Sequence, residues 1–525
     1  MDQRPDAPPA SPAFAARPAL SHIAFWGVLA AALLPWLFYR IQQVTNSDVL
    51  WLCEALTHVF SGATMVDAAY EPNPPLSLLI YTFPVLAKSL LNIPWHYGVF
   101  AQTMVFVALS GYAVYALLAR SGLFRKDFIS VVTAAFILMN TYGVSLFFSE
   151  RDQMIALGLV PLVLLQAMMT YSRPSAGYLK WPILFFGTMF ILLKPHHGLI
   201  PALMLLHRVA LRRNFSVVKD PDFIALAVGS LFYTAAALYF FPDYVRVILP
   251  DVIRLYLPFG EWARVAPLIL TAFIASCILM IGMLYTPADK SEQALGLWLI
   301  LCGLFSLIPY EIQGLGLYYQ LIPALSFFGM GYAAALYSWL KALCPNRNPA
   351  IPCLVFLSAL SFVHAPLIPQ YPTHASYKKL PLPQLLAREC PKNRRCSFFL
   401  NNRNMAMIHE VSYYTGIPHA SRFPTLWFQA GLMREKDDSK DFARYSAMVT
   451  EDLNKWQPDI LVLVRYKDKP EQNFIPYFSR NSDFVRAIKP YKKIKPVKMS
   501  YDEYYLGTGE SKEFLDYDVY KRTAP

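Results

Sequence analysis

Asn46-Ser47-Asp48-Val49-Leu50-Trp51, running on to Tyr70-Glu71-Pro72-Asn73-Pro74-Pro75-Leu76, is the stretch on which the reading of this chain turns. It follows directly on an apolar run, His22–Tyr39, whose 18 residues make about 27 Å of helix, enough to cross a bilayer. Asp48 is thereby placed just outside a membrane, with Asp67, Glu71 and a stiff Pro-rich element behind it. A plain connector between two spanning helices needs none of these groups. Chemistry on a lipid-borne substrate at the bilayer surface does.

Composition agrees with a membrane setting. Of 525 residues, 55% are hydrophobic and only 16% charged, where a soluble domain carries about 25% charged residues. The net charge of +12 would suit nucleic acid. However, outside the C-terminal tail the basic residues lie mostly in short loops between apolar runs, the pattern that orients membrane helices. The expected partner is the lipid bilayer, and no nucleic acid. Residues 1–21 are rich in Pro and Ala and read as a disordered cytoplasmic N-terminus. No small-residue cleavage site follows the first run, so it reads as an uncleaved anchor. Cys390 and Cys396 are close enough for a local disulfide if they face an oxidising compartment; the sequence leaves that pairing open.

Twelve apolar runs lie between His22 and Leu367. Basic clusters at Arg120/Arg125/Lys126, Arg173/Lys180, Arg208/Arg212/Arg213/Lys219, Lys290 and Lys341/Arg347 mark cytoplasmic loops, so an even number of crossings must separate each from the next. That holds if Pro75–Leu91, which is short, interrupted by Pro84 and carries Lys88, lies at the interface instead of spanning. The count is then eleven spans, with the N-terminus inside and the C-terminus outside. Two of these runs, Trp181–Leu193 and Leu199–Leu211, have 13 residues each, about 20 Å of helix against a core of about 30 Å. They read as a hairpin with Lys194-Pro195-His196-His197-Gly198 at its outer tip, where polar backbone is tolerated only in a protein-enclosed cavity. Beyond Ile368 the chain turns polar, with strand-like runs at Ser397–Leu400 and Asp459–Val464. The expected fold class is mainly α: a polytopic helical membrane domain over 22–369, with an outer loop and interfacial helices over 42–96, then a small soluble α/β domain over 370–525 on the outer face.

This topology gathers polar groups on one face: Asp48, Glu54, Asp67 and Glu71; Ser149-Glu150-Arg151-Asp152-Gln153; Lys194, His196 and His197; Asp243, Arg246, Asp251 and Arg254; and Glu311, Gln313, Tyr318 and Tyr319. Carboxylates beside cations at a dry boundary suit two tasks: taking a proton from an acceptor hydroxyl and holding a departing phosphate. Each group also has a plain structural reading. Asp48 suits the cap of a helix beginning at Val49, Glu150-Arg151-Asp152 a helix-boundary ion cluster, Lys194 a snorkelling lysine, and Tyr318-Tyr319 an interfacial aromatic belt. The two histidines suit a loop as well as a ligand role, and no metal-ligand spacing is evident.

The order of these pieces resembles the GT-C class of membrane glycosyltransferases, which includes protein O-mannosyltransferases, the aminoarabinose transferase of lipid A and oligosaccharyltransferases. Asp48 is similar to that class's first-loop acid, Asn73-Pro74-Pro75-Leu76 to the start of its peripheral helix, and Glu150-Arg151-Asp152 to its second acidic site. The chain looks most like uncharacterised bacterial members with Arg-Glu-His after the third span; here the triplet is Arg151-Asp152-Gln153. Gln313-Gly314 with Tyr318-Tyr319-Gln320, Arg422-Phe423-Pro424 with Trp427, and Pro458-Asp459 resemble further points of that group.

The resemblance implies a multi-pass enzyme of the bacterial inner (cytoplasmic) membrane, its C-terminal domain periplasmic. It would move a hexosyl or pentosyl group from a polyprenyl-phosphate-linked sugar donor to a glycan, glycolipid or protein acceptor. Carried onto this chain, Asp48 is the general base, and Asp152 with Glu150 orients the acceptor or holds a divalent cation (Mg or Mn). Arg151, Lys194 and Arg40 meet the carrier phosphate, with Glu71, Asn73, His196, Gln313 and Tyr319 completing substrate binding. Attack opposite the phosphate inverts the anomeric centre. Two rival readings stay open: a transporter or flippase of a lipid-linked sugar, since short helices with polar tips also build transport sites, and a non-catalytic cell-envelope assembly protein.

Overall fold

A computed structural model of the chain describes residues 13–144, 147–171, 177–256, 262–287, 289–313, 317–363, 372–390, 396–401, 407–434, 440–467, 470–494, 496–500 and 514–523. Most of the expected disordered N-terminus, 1–12, lies outside these. Among the described residues, seven helices are long and apolar enough to cross a membrane by length and composition: His22–Arg40, Trp95–Ser121, Arg151–Tyr171, Pro221–Phe240, Ala266–Leu284, Lys290–Ile312 and Tyr318–Leu343. They match seven of the eleven expected spans. The other four are helices of 12 to 14 residues: Lys126–Met139, Lys180–Ile191, Leu199–Arg212 and Ala350–Val363. The count of eleven is therefore not reached by helix length. For the third expected span the reason is a contact with another helix: Asn140 ends the helix, its amide donating to Phe136 O (3.0 Å) and across to Ser326 Oγ (3.1 Å).

The run Pro75–Leu91 forms two short helices, Leu76–Leu79 and Thr82–Leu91. The second has ten residues, about 15 Å, too little to cross. Val85 and Ala87 are buried, whereas Phe83, Leu86, Leu90 and Leu91 are exposed, as an interfacial helix requires. It packs closely on the next helix at Gly98, where a Cβ would lie 2.9 Å from Pro84 Cα.

The C-terminal part holds a five-stranded sheet: β1 Phe398–Asn401, β2 Ile460–Arg465, β3 Tyr491–Lys493, β4 Val497–Ser500 and β5 Phe514–Arg522. β2 is central, parallel to β1 (Phe398 opposite Ile460) and antiparallel to β5 (Val462 opposite Val519). β3 and β4 both pair antiparallel with β5. The unbroken apolar run of β2 fits this position, since a strand covered on both faces has no polar side. Cys390 and Cys396 are joined by a disulfide just before β1.

This part is clamped onto the first outer loop. Val44 N donates to Pro372 O (3.1 Å), Thr45 N to Tyr414 Oη (2.9 Å), His409 N to Ser47 Oγ (3.1 Å) and Tyr70 N to Arg422 O (2.8 Å). Tyr70 lies against Phe423 and Trp427 at ring distances of 5.2 and 6.2 Å. Both ends of the Asp48–Glu71 loop are thus fixed from above. At the other end of the bundle His22, Arg125, Lys126 and Asn348 line a separate cleft, consistent with basic loops sharing one side.

Candidate active site

The helix Ser47–Phe60 begins two residues earlier than a cap at Asp48 requires. Asn46 is its N-cap, its side chain accepting from Asp48 N at 2.8 Å. With that donor satisfied by Asn46, the Asp48 carboxylate is left for other work. Asp48 Oδ2 accepts from Arg151 Nη2 at 3.3 Å. The other guanidinium nitrogen, Nη1, lies 3.6 Å from Glu71 Oε1. Glu71 is held in turn by Trp51 Nε1 (2.6 Å, to Oε2) and by the backbone N–H of Asn73 (2.9 Å, to Oε1). The Asn73 amide also donates to Glu71. Trp51, one helical turn beyond Asp48, has the His409 ring tilted against it at 4.7 Å.

Arg151 and Asp152 open the next long helix from a strained turn. Ser149 has φ +77°, a region costly for any residue but glycine. Three contacts hold it there: its N–H donates to Gln153 Oε1 (2.6 Å), its carbonyl accepts from Tyr81 Oη (2.6 Å) and its Oγ from Thr103 (2.8 Å). Gln153 also donates to Asn140 O (2.7 Å). The glutamine that replaces the resembled group's histidine is thus a brace for the turn. Glu150, Arg151 and Asp152 are all buried, so they do not form a solvated boundary cluster. Burial, and then the neighbouring Asp48 carboxylate, push the Glu150 carboxyl well above the usual range, and neither of its oxygens has a hydrogen-bond partner.

Lys194 comes from the tip between Lys180–Ile191 and Leu199–Arg212. It is buried, not snorkelling: Nζ donates to Asp152 Oδ2 at 2.6 Å and sits 5.2 Å from the centre of the Tyr319 ring. Tyr318, by contrast, is exposed as a belt residue would be. His196 lies tilted against His197 (4.8 Å), and burial followed by the Lys194 charge pushes its imidazole down to about 4. Arg40 lies at the edge, over Phe148 (5.4 Å), donating to Val44 O (3.2 Å) and lining a cleft with Thr45, His96 and Ser149. Gln313 closes its helix, but its side chain, like all of Gly314, lies outside the described residues.

Two further residues belong here: Tyr256, which sequence reasoning passed over, and Asp251, which it placed on this face without a role. Tyr256 is within electrostatic reach of Asp48, Arg151, Glu71 and Asp152, and burial with the Asp48 charge pushes its phenol up to about 12. It packs edge-on against Trp427 (5.8 Å). Asp251 anchors that segment, accepting from Tyr70 Oη (2.5 Å) and Tyr445 Oη (2.7 Å). Neither had a local signal, because the partners are far apart in sequence. A divalent cation at Asp152 and Glu150 finds no support in this geometry. Lys194 already neutralises Asp152, Arg151 stands between the two acids, and no group of three or more His, Cys, Asp or Glu is gathered for a metal among the described residues. No step below uses one.

The architecture combines a helical domain of several apolar helices, an acidic first loop, short helices beside it, a second acidic site at a helix start and a small C-terminal α/β domain. In particular it is similar to ArnT from Cupriavidus metallidurans solved with bound undecaprenyl phosphate, at a TM-score of 0.52 and 15% identity over 95% of this chain and 98% of that one. The apo state of the same protein matches at a TM-score of 0.49 and 16% identity, over 94% and 97%. No family model and no curated protein matches the sequence.

Proposed function

We propose that this protein is an integral-membrane glycosyltransferase of the bacterial inner membrane. It moves a sugar from a polyprenyl-phosphate carrier to an acceptor hydroxyl on the outer face. The observation that carries the reading is the pair of linked, buried ion contacts, Asp48–Arg151–Glu71 and Asp152–Lys194, joined through adjacent residues at one helix start. The ArnT-like fold supports it, because the neighbour was crystallised with a carrier lipid of this chemistry.

In this reaction Asp48 takes the proton of the acceptor hydroxyl as its oxygen attacks the anomeric carbon. The bond from that carbon to the phosphate oxygen breaks on the opposite face, the polyprenyl phosphate leaves, and the configuration inverts. Arg151 holds the Asp48 carboxylate in position. Lys194 neutralises the phosphate charge, with Arg40 as a further contact at the cleft edge. Asp152 and Glu71 fix the two cations. Donor hydrogen bonds in a water-poor site are worth more than in water, which suits the burial of Arg151, Asp152, Glu71 and Lys194.

The test is transfer in membranes supplied with a polyprenyl-phosphate sugar. Asp48→Asn should lower transfer about a thousandfold, within the range for a general base, while expression and carrier binding persist. Full transfer by that variant would sink the base assignment. Unaltered outer-surface glycans in a deletion strain, together with no transfer by the wild type, would sink the enzyme reading. Sidedness is checked by a C-terminal alkaline phosphatase fusion, which should be active; an inactive fusion reverses the orientation.

A further inference from the structure

The second acid is gripped from one side only. Asp152 is fully buried, and its two oxygens differ: Oδ2 accepts from Lys194, whereas Oδ1 has no hydrogen-bond partner. On the Oδ1 side stands His197, with Nε2 at 4.0 Å. His197 is also fully buried, and neither of its ring nitrogens is bonded. Buried polar groups are nearly always paired, and each one left unmet is destabilising. Here a donor and an acceptor stop roughly an ångström short of each other, beyond normal hydrogen-bond length.

The arrangement of the tip gives that gap a use. Lys194 and His197 are two arms of a single turn, closed by His197 N donating to Lys194 O at 3.1 Å. They approach the two oxygens of one carboxylate. Lys194 also has the Tyr319 face beside it, so its ammonium can leave Asp152 without losing every favourable contact. If Lys194 turns to the carrier phosphate, as the proposed function requires, Asp152 becomes a buried carboxylate without a counter-charge. Such stranding costs several kcal/mol. Glu150 is an acid and Arg151 is engaged by Asp48 and Glu71, so neither can take the vacancy.

We propose that His197 is a positioning residue for donor binding: as Lys194 passes from Asp152 to the phosphate of the lipid carrier, His197 Nε2–H closes on Asp152 Oδ1 and replaces it. No proton changes hands; a neutral imidazole with its hydrogen on Nε2 is sufficient. Burial holds this imidazole well below its ordinary value, in keeping with that form. The tilted His196 ring lies against it at 4.8 Å. The inference rests on the proposed function and adds a residue whose work is done when the donor arrives, before the chemical step.

The experiment is binding of polyprenyl phosphate alone to the purified full-length protein in nanodiscs, together with donor KM and kcat. His197→Ala should weaken polyprenyl phosphate binding and raise donor KM by about thirtyfold, the lower-middle range for a hydrogen bond to a charged group, with kcat changed less than about twofold. His197→Gln, which keeps an N–H donor, should recover most of the loss. In an Asp152→Asn background, where no charge needs compensation, His197→Ala should change binding less than about twofold; this cycle also serves if the single alanine variant folds poorly. Wild-type binding and transfer with an unaffected His197→Ala, or glutamine no better than alanine, overturns this inference alone. Absence of carrier binding and transfer by the wild type overturns the proposed function, and this inference with it.

Discussion

Two buried arginines show how differently one chemistry can be used. Arg208, towards the far end of the helix Leu199–Arg212, is saturated. Its Nε donates to Thr170 Oγ1 (2.9 Å), Nη1 to Asp220 (2.9 Å) and Asp222 (3.1 Å), and Nη2 to Asp222 (3.0 Å) and Gln166 O (3.0 Å). Arg151 is just as enclosed but makes one hydrogen bond at 3.3 Å and one longer ion contact at 3.6 Å, and its Nε has no partner. A fully satisfied buried cation is a staple between helices. An under-satisfied one held between two acids orients carboxylates instead of tying helices together. The difference lies in hydrogen-bond completeness and not in burial or charge.

The comparison breaks most clearly by exchanging each arginine for glutamine. Arg208→Gln strands Asp222 and should cost about 3–5 kcal/mol of stability, seen as a lower melting temperature and poor recovery of folded protein. Arg151→Gln should melt close to the wild type, because Glu71 keeps Trp51 and Asn73 while Asp48 retains solvent contact at 18% exposure. Its transfer activity should fall at least a hundredfold. Equal melting losses in the two variants, or an active Arg151→Gln, would remove the distinction. A smaller effect sharpens it: Trp51→Phe deletes one donor to Glu71 and should lower transfer about tenfold, a bond to a charged group being worth about 1.5–3 kcal/mol. Unchanged activity would mean that Glu71 needs no such brace.

The smallest expected effect concerns the clamp between the two halves. His374 Nε2 meets Gln43 O at 2.7 Å, and burial holds this imidazole below its ordinary value of 6.5. A base whose folded value is lowered favours the neutral form. Its contribution is therefore complete above pH 6.5 and fades as the pH falls further. Melting should drop modestly on acidification over that window, and His374→Gln should flatten the dependence. An identical acid response in that variant would place the titration elsewhere.

What the sequence reveals here follows from the range of the interactions. The apolar runs report spans because burial in lipid is a property of each segment by itself. Asp48, Glu71, Arg151, Asp152 and Lys194 were legible as a set because topology alone puts their loops on one side. The shortness of the third helix was not, since Asn140 stops it by reaching Ser326 on a distant helix. The roles of Trp51, Tyr256 and Asp251 escaped for the same reason: their partners lie in other segments. His196 and His197 could not be told apart by sequence, because only the pitch of the turn decides which ring reaches Asp152.

Asn46 has a consequence that concerns composition itself. Asparagine and aspartate are nearly equal helix caps, and here the neutral one caps while the charged one stands two residues on. A chain with the two exchanged would have the same mass, the same net charge and an equally well-started helix. Its carboxylate would be spent on a backbone N–H, and an amide would face Arg151. Order, at a spacing of two residues, is what separates a connector from a reaction centre.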